Sequence, residues 1–225
     1  MIKLGITSKG RLKKDILKIF KQKKLIIISE RGERDLFAKI IKLSNIKIIY
    51  LHAREIIERL GDNSLDIGFS GYDLLAESKI ATQNKIQVLK KYNFGRANLV
   101  IAVPDKWIDV QTVADLEEIS FEFKDKKNKR LRVSTKYPNL SRQFLYSKGV
   151  TQFQLVKSLG STEVAPFTGT AEVITDITST GATLKANNLR ILQDGQILKS
   201  QGCLMISKPS IKKQGIKKII NLLSN

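Results

Sequence analysis

Strand-sized apolar runs alternate with stretches of helical period along most of this chain, and that alternation restricts the fold more than any other feature. Residues 3–7 are followed by Ile16, Leu17 and Phe20 at helical spacing, and residues 46–51 by Ile56, Ile57 and Leu60. Further strands are expected at 66–70, 86–91, 98–103, 131–135, 153–156 and 173–177, with helices between several of them. Such an order predicts an α/β fold with a mostly parallel sheet under covering helices. Pro104 to Trp107 closes the strand at 98–103, and a lobe boundary is expected near Val103. The charged run 124–130 reads as a solvated loop. Two more strand-like segments, 190–192 and 202–207, precede a helix expected over 210–223, with Ser210 as its N-cap and Ile211, Ile219, Ile220 and Leu223 on one face.

With 225 residues, 42% of them apolar, the chain is long enough for one large domain or two small ones. Its single cysteine, Cys203, rules out an internal disulfide and a zinc site of clustered thiolates, and points to a reducing compartment. Lys9, Arg11, Lys13 and Lys14 interrupt the N-terminus before an apolar leader could form, and no apolar run approaches the ~20 residues of a membrane span. A soluble, cytoplasmic protein without a membrane partner is expected. The formal net charge of +19 draws in polyanions, yet the lysines are spread over the whole chain, so charge alone does not decide between a polyanionic partner and a compositional bias. Aromatic residues are few and mostly in apolar positions, against the interleaved pattern of a nucleic-acid binder, so no nucleic-acid partner is expected.

The segment 163–184 holds the most chemistry. It reads as a strand ending at Asp176, then the hydroxyl-rich loop Thr178, Ser179, Thr180, Gly181, Ala182 and Thr183, then a helix start. Such a loop can aim backbone N–H groups and hydroxyls at a phosphate while glycine lets the backbone approach closely. The preceding carboxylate can accept two hydrogen bonds from the vicinal diol of a ribose. An ordinary strand-to-helix turn, with Thr180 or Thr183 as N-cap, fits the loop taken alone.

Six ordered motifs extend the pattern over nearly the whole chain. They are Lys9-Gly10-Arg11-Leu12; Asp66-Ile67-Gly68-Phe69-Ser70-Gly71-Tyr72-Asp73-Leu74-Leu75; Phe94-Gly95-Arg96; Ser134-Thr135-Lys136-Tyr137-Pro138-Asn139; Gly160-Ser161-Thr162-Glu163-Val164-Ala165-Pro166; and the loop from Asp176 to Leu184, followed by Asn187-Asn188-Leu189. In this the sequence resembles the ATP phosphoribosyltransferases, the family that opens histidine biosynthesis. The resemblance implies a two-lobed fold like that of type II periplasmic binding proteins, with a cleft between the lobes. The first lobe would be 1–103 plus 185–225, and the second 104–184, carrying the phosphoribosyl loop.

It also implies a reaction: N1 of the adenine of ATP joins C1 of phosphoribosyl diphosphate, with Mg2+, and pyrophosphate leaves. No residue would act as a metal ligand of its own. Lys9, Arg11 and Arg54 become the candidate catalytic cations, and Arg31, Arg34 and Asp73 candidates for ATP, although Asp73 also reads as a helix cap. Glu163, Asp176 and the loop 178–183 would hold phosphoribosyl diphosphate. His52 and Cys203 read as structural. Two departures from the family pattern, Glu172 in place of aspartate and Ala97 in place of cysteine, leave the chemistry intact. The length resembles the short form, whose partner is a separate regulatory subunit similar to histidyl-tRNA synthetase. A hetero-oligomer, or a homodimer on its own, is expected, with feedback by histidine residing largely outside this chain. A non-catalytic solute-binding module of the same fold is the rival reading.

Overall fold

The structure is a computed structural model that describes residues 1–29, 35–41 and 43–224. In chain order the elements begin β1 (Ile2–Thr7), α1 (Gly10–Gln22), β2 (Ile27–Ile28), β3 (Phe37–Ile40), β4 (Leu43–Leu51), α2 (Ala53–Gly61), β5 (Ile67–Gly71), α3 (Tyr72–Glu77), α4 (Ile80–Gln83) and β6 (Ile86–Lys91). There follow β7 (Ala97–Pro104), α5 (Val113–Lys127), β8 (Leu131–Thr135), α6 (Pro138–Ser147), β9 (Phe153–Lys157), β10 (Val173–Thr178) and α7 (Ala182–Ala186). The chain closes with β11 (Leu189–Ser200), β12 (Gly202–Ser207) and α8 (Ile216–Ser224).

These elements form two compact units, Met1–Arg96 with Gln201–Asn225, and Ala97–Ser200. The first unit is built on a seven-stranded sheet of order β2-β3-β4-β1-β5-β12-β6, in which β1 runs parallel to β4 and β5 and every other pairing is antiparallel. The second has a five-stranded sheet of order β11-β7-β10-β8-β9, with β8 parallel to β9 and β10, and β7 antiparallel to β10 and β11. The expectation of a mostly parallel sheet is therefore corrected to two mixed sheets. Parallel pairing is confined to β1 with β4 and β5, and to β8 with β9 and β10, whereas the remaining strands enter beside neighbours running the other way.

The division also falls elsewhere than the sequence suggested. Residues 97–103 and 189–200 pair with β10 and with each other, which puts both β7 and β11 in the second unit and moves the junctions to 96/97 and 200/201. The charged run 124–130 is not a loop over most of its length. Lys124 to Lys127 form the last turn of α5, which ends at Asn128 in the left-handed conformation, φ 48°. Helix α5 starts at a capping box: Thr112 accepts from the Asp115 N–H, and the Asp115 carboxylate accepts from the Thr112 N–H.

In the first unit, period-two strands send Ile2, Leu4 and Ile6 toward α1 and α8, where Ile16, Phe20, Ile216, Ile219 and Leu223 cover them. The opposite face packs Ile56, Ile57 and Leu60 of α2 over Leu65, Cys203 and Met205. Each such buried aliphatic chain contributes about 1.5–3 kcal/mol. Contact with α2 is close because Gly5 and Gly68 face each other across β1 and β5; a methyl on Gly68 would come within 2.6 Å of the Ile56 side chain. In the second unit, α5 and α6 bury Val113, Leu116 and Leu145 on Val103, Leu131 and Val133.

The C-terminal helix begins six residues later than the expected 210. Ser210 lies in a 3₁₀ turn (Lys208–Lys212), where its hydroxyl donates to Asp66 Oδ1 at 2.6 Å. Gly215, at φ +79°, separates that turn from α8. Asp66 also accepts from the Lys3 N–H at 2.7 Å and from Lys213 Nζ at 2.8 Å, so this motif acid ties the C-terminal segment to β1. Burial pushes its carboxyl up, but the hydrogen bonds from Lys213, Lys3 and Ser210 outweigh burial and hold it below the usual range. Among the described residues no helix is long and apolar enough to cross a membrane.

Candidate functional site

In each unit most motif residues lie at the carboxyl edge of the parallel strands; Asp66, before β5, and Asn187 to Leu189, at the start of β11, lie at the other edge. Strands β4, β1 and β5 are parallel, so their carboxyl ends share an edge, and each leads directly into a helix. Arg11, Arg54 and Asp73 are the second residues of those helices, α1, α2 and α3. Ligand sites of open α/β sheets lie at such edges, where helix N-termini carry partial positive charge.

Local sequence fixes each turn. Gly10 has φ +82°, a conformation that a side chain would strain, and it swings the chain from β1 into α1 with exposed Lys9 at the N-cap position and exposed Arg11 in the first turn. No acid occupies that first turn. His52 Nδ1 accepts from the Arg54 N–H at 3.3 Å and so caps α2, which gives the chain's lone histidine the structural role read from the sequence. Asp73 is not the cap residue of α3, as sequence suggested. Gly71 takes that position, and a methyl there would meet Asp73 Oδ1 at 2.3 Å. Arg31 and Arg34 lie outside the described residues. Cys203 is buried on β12, and burial pushes its thiol up to about 11, as befits a packing residue.

In the second unit, β8, β9 and β10 are parallel. From β8 the chain crosses through α6 to β9 on one side, and from β10 through α7 to β11 on the other. Connections thus diverge between β8 and β10, the topological switch point where α/β folds place their ligands. Asp176 and the loop after it stand at that point. Gly181, φ +76°, is the N-cap of α7, a position that neither Thr180 nor Thr183 takes. Two N–H groups of the loop are held by its own hydroxyls: Gly181 N–H donates to Thr178 Oγ1 at 2.9 Å and Ala182 N–H to Thr180 Oγ1 at 3.3 Å. An entering phosphate would exchange these two bonds for charge-assisted ones, which are shorter and stronger.

The Asp176 carboxyl is pushed above its ordinary range, first by burial and also by the charge of Glu163, against the pull of the Ile177 N–H and of Lys136. Glu163, in the 3₁₀ turn Thr162–Val164, is therefore electrostatic neighbour to Asp176. Glu172 does something else: it grips Arg132 at the amino end of β10.

Sequence reading missed what holds this edge. Thr135, Ser141 and Thr175 form a buried hydroxyl cluster: Thr175 Oγ1 donates to Thr135 Oγ1 at 2.5 Å and lies 2.6 Å from Ser141 Oγ, while the Tyr137 N–H donates to Thr135 Oγ1 at 2.8 Å. That network locks β8, β10 and α6 together directly beneath Lys136 and Asp176. The Ser134-Thr135-Lys136 motif was visible in the sequence, but its partner Thr175 is 40 residues away. Among the described residues no group of three or more His, Cys, Asp or Glu side chains could hold a metal ion.

The fold is that of two-unit α/β binding proteins. The ancestral amino acid-binding protein AncCDT-1, a precursor of cyclohexadienyl dehydratase, superposes with TM-score 0.56 at 14% identity over 100% of this chain and 86% of that one, a likeness of fold alone. The ATP phosphoribosyl transferase (HisG:HisZ) complex from Thermotoga maritima matches with TM-score 0.76 at 25% identity, covering 99% of this chain and 96% of that one. The sequence profile of the HisG family, ATP phosphoribosyltransferase, matches residues 52–225. The ATP phosphoribosyltransferase of Nitrobacter winogradskyi is 45% identical over 205 residues, 91% of this chain and 63% of that protein. That of Mesorhizobium japonicum is 43% identical over 209 residues, 92% of this chain and 90% of that protein. This chain belongs to the ATP phosphoribosyltransferase family.

Proposed function

We infer that the protein transfers the phosphoribosyl group of 5-phosphoribosyl 1-diphosphate to N1 of the adenine of ATP, the first step of histidine biosynthesis. The observation that carries this reading is Asp176 at the switch point, electrostatically coupled to Glu163 and followed by the hydroxyl loop, in a chain of this family. Asp176 and Glu163 hold the ribose hydroxyls, and residues 178–183 hold the 5-phosphate. In the first unit, Lys9, Arg11 and Arg54 take the polyphosphates, and Asp73 orients ATP; Arg31 and Arg34 join them as further candidates for the ATP phosphates.

The new bond forms between adenine N1 and ribose C1 as the bond from C1 to the pyrophosphate oxygen breaks, its electron pair leaving with pyrophosphate. The protein's part is alignment of two polyanions and relief of charge on the leaving group, which fixed cations supply without reorganising. Mg2+, when bound to the diphosphate, would neutralise part of that charge. A pair of neighbouring carboxylates suits such an ion, which keeps most of its waters and its substrate oxygens. Asp176 and Glu163 would hold it through those waters.

We place the reaction in the cytoplasm and propose that the chain works in a hetero-oligomer with a regulatory subunit. The name of the Thermotoga maritima HisG:HisZ complex supports that partnership.

The test is to mix the purified chain with ATP, phosphoribosyl diphosphate, Mg2+ and pyrophosphatase, alone and with the regulatory subunit, and to follow product absorbance in the near ultraviolet. Turnover that needs both substrates and falls about a hundredfold or more in Asp176→Ala is expected, since two charge-assisted hydrogen bonds to the diol are lost. Absence of turnover under both conditions would overturn the reading.

A further inference from the structure

The second unit carries a cavity at the edge of its sheet opposite the phosphoribosyl loop. Pro104 closes β7, Arg130 precedes β8 and Glu172 precedes β10. Because β7 is antiparallel to β10 and β8 is parallel to it, all three residues lie at the amino end of β10. The loop at 178–183 follows the carboxyl end, a strand of six residues away, or ~20 Å at about 3.3 Å per residue. The cavity holds about 310 Å³, at the small end of the range for small-molecule sites.

Its lining has two chemistries. Lys106, Lys129, Arg130 and Arg132 face it with Glu172 as the single acid, and Trp107 and Phe123 supply flat apolar surface, their rings 6.2 Å apart. Arg132 is already spoken for: its guanidinium donates to Glu172 Oε1 at 2.5 Å, and its backbone N–H to Glu172 Oε2 at 2.8 Å. That clamp makes a stiff wall. Lys106, Lys129 and Arg130 are exposed, and among the described residues no ion pair ties them to a carboxylate.

Three cations that no described carboxylate pairs, beside an indole, match one kind of ligand, a multiply charged anion with a planar ring. A single carboxylate would leave two of the cations unmatched. The left-handed turn at Asn128 is what brings Lys129 and Arg130 round to the cavity after α5 ends. The part of the charged run that looked like a solvated loop is thus placed for recognition.

We propose that this cavity is a second ligand site, distinct from the phosphoribosyl site, that takes an organic phosphate bearing a planar ring, its phosphate on Lys106, Lys129 and Arg130 and its ring against Trp107. Trp107 is the chain's only tryptophan, so its fluorescence reports on this cavity directly.

Guanosine 5′-monophosphate, which is not a substrate of the proposed transferase, is the probe, titrated against Trp107 emission and by calorimetry on the whole chain. Saturable binding is expected, at least tenfold tighter than that of guanosine or of inorganic phosphate. In the double variant K129A/R130A, whose exposed side chains leave the core intact, the affinity should fall at least tenfold, with an unchanged melting temperature confirming the fold. Asp176→Ala weakens any hold of the phosphoribosyl loop on the nucleotide's ribose 5-phosphate, but the binding reported by Trp107 emission should be unchanged in it. The proposal is overturned if no saturable signal appears at millimolar nucleotide, if guanosine or inorganic phosphate binds equally well, or if K129A/R130A binds as wild type. Loss of binding in Asp176→Ala but not in K129A/R130A would place the nucleotide at the phosphoribosyl loop and overturn it too.

Discussion

Asp176 is expensive to keep charged. Burial at the carboxyl end of β10, and the nearby charge of Glu163, hold its folded-state pKa above the unfolded value. For a carboxyl raised in this way the folded state binds the proton more readily than the unfolded chain. The group therefore disfavours folding above its folded pKa, and that penalty disappears as the pH falls through it. Asp176→Asn removes the charge with little change in shape, so the variant should melt at a higher temperature than wild type at pH 7. The gap should close as the pH is lowered through the folded pKa. Thermal melts of both proteins from pH 4 to pH 8 check this, and equal melting temperatures throughout would mean that the side chain is solvated. The same substitution removes the charged acceptor that we propose for the ribose diol, so the more stable variant should be the less active one, a common trade at functional sites.

At the scale of elements, the strands were the most legible part of the sequence. Residues 86–91, 131–135 and 202–207 form β6, β8 and β12 with those very bounds, because charged or glycine-containing segments punctuate them. The start of α8 was misread because Ser210 has the chemistry of an N-cap while Gly215 downstream sets the real break. The acid and hydroxyl loop were readable because they are local; the Thr135, Ser141 and Thr175 cluster beneath them was not, because a hydrogen bond between strands leaves no mark at short spacing. The paired glycines under α2 belong to the same class of hidden constraint. Gly68→Ala would bring its methyl to 2.6 Å from the Ile56 side chain and 3.3 Å from that of Leu65, so these must give way and press on α2, whose first turn carries Arg54. Overpacking of this kind costs about 1–3 kcal/mol. The expected outcome is a denaturation midpoint lowered by that amount together with a several-fold loss of kcat/KM. An unchanged midpoint would show that the helix and sheet have slack at this contact.

For the whole molecule, the open question in the sequence was whether a net charge of +19 serves function or only reflects a lysine-rich composition. The structure sharpens that question, since Lys9, Arg11 and Arg54 share one sheet edge while most other lysines are scattered over exposed positions. If the field of the whole chain helps gather two polyanionic substrates, its reach is set by the Debye length, about 10 Å at 0.1 M salt and shorter above that. Capture should then weaken with salt while the aligned chemistry, made of contacts shorter than that length, should not. Steady-state kinetics in 50 and 300 mM KCl should show kcat/KM for ATP falling about fivefold with kcat nearly constant. A flat kcat/KM would assign the surplus lysines to composition and leave substrate capture to the few cations at the sheet edge.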